Sequence, residues 1–240
     1  MKYILENPAA GTNENSPRET DIQPQLSAAE RGTLLHETFE RMLRMKQDNV
    51  EMSRQWLRDR LSTLCPILSE QDVEGELDAL CEHVNKALNS DTFKRLRQAQ
   101  RLRFEVPYLA SLTSDIALSG KLDCEAWYDE KELLVVDFKT GEKEEKTPTA
   151  SGSIYDLQMK IYLWMMWKRD SSLTSYPGII LYTGLGKEQR FDLSPADLML
   201  FDIELKHEAE KFRTFLDKYS HGDILLDERL FGELAKECNT

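Results

Sequence analysis

The 240-residue chain predicts an α/β fold: helices flanking a small mixed β-sheet. Three observations carry this. Apolar residues recur at helical spacing up to about residue 98, a run of β-branched and aromatic segments follows from 102 to 140, and the remainder alternates helix, strand and helix.

Residues 1–26 are rich in Asn, Pro, Thr, Ser and Gln without periodicity, and predict a mobile N-terminal arm. Ser27-Ala-Ala-Glu30 matches a capping box and opens a helix whose Leu35, Phe39, Met42 and Leu43 share one face. Helices over about 51–64 and 70–98 follow, separated by Pro66. Three strands are expected in LRFEVPYLA, DIALSGKLDCEAWYD and ELLVVDFKT. A charged and then polar loop spans 142–152. Ser153 and Asp156 open an amphipathic helix to about Arg169. PGIILYTGL is a buried strand, Gln189–Leu193 a short one that can pair with it, and Ser194-Pro195 starts the last helix, to about Tyr219. The expected organisation is one domain over 27–240. It comprises a helical part (27–100), a sheet core carrying the active site (101–193) and a C-terminal helix (194–220).

Charged residues at 31% and hydrophobic residues at 40% suit a soluble globular protein. No apolar run approaches a membrane span, and MKYILENPAA lacks the apolar core of a signal peptide, so the expected location is the cytoplasm. Cys65, Cys81, Cys124 and Cys238 are scattered and read as reduced thiols. A net charge of −12 argues against nucleic-acid binding by global charge. One local exception is the basic run Lys94, Arg95, Arg97, Arg101 and Arg103, which reads equally as a phosphate-contacting stripe or a solvated helix end.

The residues with most chemistry lie in GKLDCEAWYDEKELLVVDFKTG, 120–141. A turn centred near Glu130 sets Asp123 opposite Asp137, where like charges destabilise a sheet and invite a cation. Lys139 shares the face of Asp137. Carboxylates for Mg²⁺ or Mn²⁺, the Phe138 carbonyl as a further ligand, and an adjacent ammonium suit phosphodiester hydrolysis. D-x-K alone is a weak signal, and it gains force from Gly120-x-x-Asp123 at hairpin spacing. Gln158 and Tyr162 share a helix face, where an amide and a phenol can grip a phosphate or sugar or stack on a base. The nearby Trp164 and Trp167 read better as core. His36 can complete a metal shell or simply pack. Glu105 is a ligand, a group supporting one, or an exposed strand residue.

The ordered set R-G-T-L-L-His36, F-Glu105-V-P-Y, G-K-L-Asp123, V-V-Asp137-F-Lys139-T-G and Gln158-M-K-I-Tyr162 resembles the RecB-type nuclease domain of the PD-(D/E)XK superfamily, over roughly residues 28–185. The resemblance implies a three-layer, restriction-endonuclease-like core with an N-terminal helical region, and a metal-dependent DNA nuclease active in repair or recombination. It assigns His36, Asp123 and Asp137 to metal, Lys139 to catalysis and Gln158 and Tyr162 to DNA handling, with Glu105 as an accessory. Some members carry an iron–sulfur cluster on a C-terminal cysteine group. Here only Cys238 lies there, so no cluster is expected. The expected partners are DNA and a helicase subunit or motor domain. A different class of function, a non-catalytic DNA-binding or scaffolding module of a helicase–nuclease, fits the acidic charge. RNA as substrate stays open.

Overall fold

A computed structural model describes residues 26–66, 68–141 and 153–219. Four helices come first: α1 (Ala28–Arg44), α2 (Val50–Leu64), α3 (Glu70–Asn89) and α4 (Asp91–Leu96). Strands β1 (Arg101–Ser111), β2 (Ala117–Trp127) and β3 (Leu133–Lys139) follow. Helix α5 (Ile154–Arg169) leads to β4 (Tyr176–Tyr182) and β5 (Lys187–Leu193), and α6 (Pro195–Tyr219) closes the order. The expected N-terminal arm up to residue 25, the loop 142–152 and the segment with Cys238 lie outside the described residues.

Local chemistry explains the helix boundaries. Both halves of the Ser27–Glu30 capping box form, as do those of Ser153–Asp156 at α5. The helix expected over 70–98 is two helices. Ser90 breaks it: its hydroxyl donates to the Ala87 carbonyl (2.6 Å) and accepts from the Phe93 amide (3.1 Å), ending α3 and starting α4.

The five strands form one mixed sheet in the order β1-β2-β3-β4-β5. β3 and β4 run parallel, and the other pairs are antiparallel. A parallel pair needs a crossover, which α5 supplies. Leu134, Val136 and Phe138 point into a cluster with Leu35, Phe39, Leu80 and Phe93 of the α1–α4 layer. Leu133 and Val135 point the other way, against Met159, Leu163 and Trp164 of α5, with Leu198 of α6 beside them. These are three layers with β3 buried on both faces, the restriction-endonuclease-like arrangement. Among the described residues no helix is long and apolar enough to cross a membrane.

One departure from regular strand geometry positions the site. Leu102 and Phe104 pack on the helical layer, but Val106, Tyr108 and Ala110 pack on the α5 side. Their partner strand does the same: Cys124 and Ala126 face one layer, Leu122 the other. Same-parity residues of a regular strand share a face, so the β1–β2 ribbon turns over between Phe104 and Val106. Glu105 absorbs the turn at φ +52°, while Phe104 still opposes Cys124 and Val106 opposes Leu122. A non-glycine residue in this region is uncommon and strained.

Candidate active site

The β2–β3 hairpin carries the two aspartates. Cys124 opposes Val136, so the expected register around residue 130 holds, and one further step brings Asp123 alongside Asp137. The backbone ladder is replaced there by a side chain: the Phe138 amide donates to Asp123 Oδ2 at 2.8 Å. Asp137 is buried, and its Oδ2 lies 2.8 Å from Lys139 Nζ, whose ammonium also sits over the Tyr155 ring.

Helix α1 supplies His36. Its Nε2 lies 3.0 Å from the Phe138 carbonyl oxygen. A carbonyl only accepts, so a neutral imidazole here carries its proton on Nε2 and leaves the Nδ1 lone pair bare. Nδ1 faces Asp123 Oδ1 at 3.6 Å and Glu105 Oε1 at 3.7 Å. One nitrogen and two carboxylate oxygens, from His36, Asp123 and Glu105, lie within 4.8 Å of one another. The ribbon inversion is what brings Glu105 to this point.

Electrostatics at the hairpin favours an added cation. Burial first and the Asp137 charge second raise the Asp123 carboxyl, against the pull of His36, the Phe138 amide and Lys139, and leave it at about 6. Burial also raises Asp137, against the pull of Lys139. Two buried carboxyls whose ionised forms cost this much lack positive charge, and a hard divalent ion on an N/O ligand set supplies it. The donor set, one imidazole nitrogen and two carboxylates, fits a divalent metal ion. A cleft of about 640 Å³, lined by Thr33, His36, Glu37, Glu40, Glu105, Lys121 and Asp123, opens onto it. Its rim acids are already paired, Glu37 with Arg60 and Glu40 with Arg44, whereas among the described residues Asp123 has no lysine or arginine within ion-pair distance.

The structure thus gathers His36, Asp123 and Glu105 into one cluster, with Asp137 and Lys139 adjoining it. The Phe138 carbonyl, expected as a ligand, is engaged by His36. On α5, the Gln158 amide donates to the Tyr162 hydroxyl at 2.7 Å, and burial raises the phenol to about 12. A Cβ on Gly120 would meet Tyr162 Cε1 at 3.0 Å, so glycine in G-K-L-D makes room for this ring. Sequence reasoning missed Lys121, which pairs with Glu105 and holds it at the cleft. It is visible in the same motif, but nothing local marks its partner. The first part of the basic run is committed within the fold: Lys94 to Asp91, Arg95 to Glu132 and Arg97 to the Gln47 carbonyl.

Two solved structures resemble the chain loosely. A candidate exonuclease from Eubacterium rectale shares 11% identity at a TM-score of 0.49, over 87% of this chain and 75% of that one. SSO0001 shares 16% identity at a TM-score of 0.30, over 72% and 85%. No curated protein matches the chain. A family model of the PD-(D/E)XK nuclease superfamily matches residues 6–235, nearly the whole chain. With that match and a mixed sheet carrying paired aspartates and a lysine on adjacent strands, the chain belongs to the PD-(D/E)XK nuclease superfamily.

Proposed function

We propose that the protein is a Mg²⁺- or Mn²⁺-dependent deoxyribonuclease of the RecB type, acting as an exonuclease in DNA repair or recombination. It would work in the cytoplasm, with a helicase subunit or motor domain as partner, and residues 27–240 would form its single nuclease domain. The observation that carries this reading is the meeting of His36 Nδ1, Asp123 and Glu105 within 4.8 Å, beside the Asp137–Lys139 pair.

His36, Asp123 and Asp137 would hold the metal, with Glu105 as an accessory carboxylate. When bound, the ion supplies Lewis-acid polarisation of the phosphodiester and a more acidic water. Lys139, 2.8 Å from Asp137, would orient the attacking water and neutralise charge developing on the phosphate. His36 keeps its proton on Nε2 through the Phe138 carbonyl, which fixes the ring and presents Nδ1. Gln158 and Tyr162 would steer the strand past these groups.

The test is cleavage of end-labelled single- and double-stranded DNA with Mg²⁺, Mn²⁺ or EDTA, beside Asp137→Ala. Metal-dependent cleavage by the parent and none by the folded variant is expected, and the product ladder reports mode and polarity. Equal cleavage by both sinks the assignment. The net charge of −12 favours a second reading, a non-catalytic module of a helicase–nuclease assembly. A folded parent that cuts nothing with either metal would select it.

A further inference from the structure

On the α5 side of β1 and β2, two residues from Asp123, lies a second buried carboxylate. Glu125 has no exposed surface, yet it is fully engaged. It accepts from the Tyr108 hydroxyl (2.6 Å), the Trp127 indole (2.5 Å), Arg103 Nη1 (3.3 Å) and Arg169 Nη1 (3.5 Å). Arg169 comes from the end of α5 and also donates to the Tyr108 hydroxyl.

The two guanidiniums are far from buried. The Arg103 and Arg169 side chains are 41% and 40% exposed, while the acid between them is sealed. Arg101, also exposed, lies beside them: it stacks on Trp127 at 5.3 Å and makes no ion pair among the described residues. Arg169 stacks on Tyr108 at 5.4 Å. Two arginines therefore share one carboxylate, a third stacks on the indole that bonds it, and solvent meets the excess positive charge. One guanidinium would suffice to neutralise Glu125. Cations on an edge strand such as β1 can serve only to discourage edge pairing. That role does not explain Arg169, which comes from a helix and converges on the same point. Stacked, hydrogen-bonded guanidiniums are already oriented, so little freedom is lost when they take phosphate oxygens in pairs.

We propose that Arg101, Arg103 and Arg169 form a docking patch for the phosphate backbone of a nucleic-acid strand whose neighbouring segment occupies the metal site. The patch rests on the nuclease reading given above. It resolves a difficulty of that reading, because a chain at −12 repels a polyanion unless positive charge is concentrated somewhere. The spacing suits it. Two residues of strand separate Glu125 from Asp123, about 7 Å, and backbone phosphates of one strand advance about 3.4 Å each along a duplex. A strand needs only a few nucleotides to span both.

The experiment is DNA binding by fluorescence anisotropy in EDTA, across a KCl series, for the full chain and three variants. Arg101→Glu leaves every partner of Glu125 in place, Arg103→Gln is the second patch variant, and Lys211→Glu makes the same charge change as Arg101→Glu on α6. Arg101→Glu should weaken binding about tenfold and lower the salt slope by about one, whereas Lys211→Glu should change neither. Arg103→Gln should lower the slope similarly, and it decides the matter if Arg101→Glu does not fold. Parent-like affinity and slope in the patch variants, an equal loss in Lys211→Glu, or no binding by the parent at low salt would each overturn the patch. Because binding is measured without metal, the two readings fail separately. Cleavage by the parent with unchanged binding in Arg101→Glu removes the patch alone, and weakened binding without any cleavage removes the nuclease alone.

Discussion

Two acidic sites on β2, two residues apart, are built on opposite terms. Glu125 is sealed from solvent and meets a phenol, an indole and two guanidiniums. Asp123 is almost as buried, at 12% side-chain exposure, yet it accepts one backbone amide and faces Asp137, Glu105 and a histidine nitrogen. A buried charge is tolerated when its partners are supplied. At Glu125 the fold supplies them all. At Asp123 the fold leaves the deficit standing, as expected of a place where an ion and a substrate complete the electrostatics.

Substitutions can break this contrast. The largest stability effect is expected at the satisfied site. Glu125→Ala strands Arg103, Arg169, the Tyr108 hydroxyl and the Trp127 indole, and should cost about 3–5 kcal/mol in denaturant melts. A loss under 1 kcal/mol would mean that the network is ornamental. The unsatisfied site should respond in rate instead. Lys139→Ala should lower kcat by about 10²–10⁴-fold in a variant that still folds, as far-ultraviolet circular dichroism would report. Near-parent turnover would remove Lys139 from the chemistry.

Metal and pH sharpen the contrast further. The Asp123 carboxyl is raised from 3.8 to about 6, so between those values the folded chain holds a proton that the unfolded chain releases. Stability of the metal-free protein should therefore fall as pH rises through this window. Metal binding needs the ionised carboxylate, so stabilisation by excess Mn²⁺ should be larger at pH 8 than at pH 5, reaching about 2.7 kcal/mol at a hundredfold excess over Kd. Equal shifts at both pH values would take Asp123 out of the ligand set. The smallest effect is expected at Gly120→Ala. The new methyl meets Tyr162 Cε1 at 3.0 Å, and the cost should be about 1–2 kcal/mol, with a rise in KM as Gln158 and Tyr162 shift. A fall in stability with unchanged KM would separate the Gln158–Tyr162 pair from substrate handling.

What the sequence made legible was local or set by register. The capping boxes at Ser27 and Ser153 and the hairpin centred on residue 130 all follow from short-range rules, and the structure contains them. The inversion of the β1–β2 ribbon was not legible. It depends on Glu105 adopting φ +52°, and glutamate gives no local sign of that. Its consequence, Glu105 beside His36 and Asp123, was hidden for the same reason. The split at Ser90 was missed because an apolar stripe continues through it in sequence while its hydroxyl caps both helices. Glu125 was invisible as a special residue: its partners at 103, 108, 127 and 169 meet only after β1, β2 and α5 have packed.

The contact between His36 and Phe138 spans 102 residues of chain. Such a closure forms late, because the loop's entropy must be lost before the contact returns anything. During synthesis the imidazole emerges long before β3, so a partly made chain holds carboxylates and a histidine but no assembled site. The cutting centre would come into being only once β3 has paired with β2 beside α1, so a nascent chain still short of β3 would carry several of the ligands without the site.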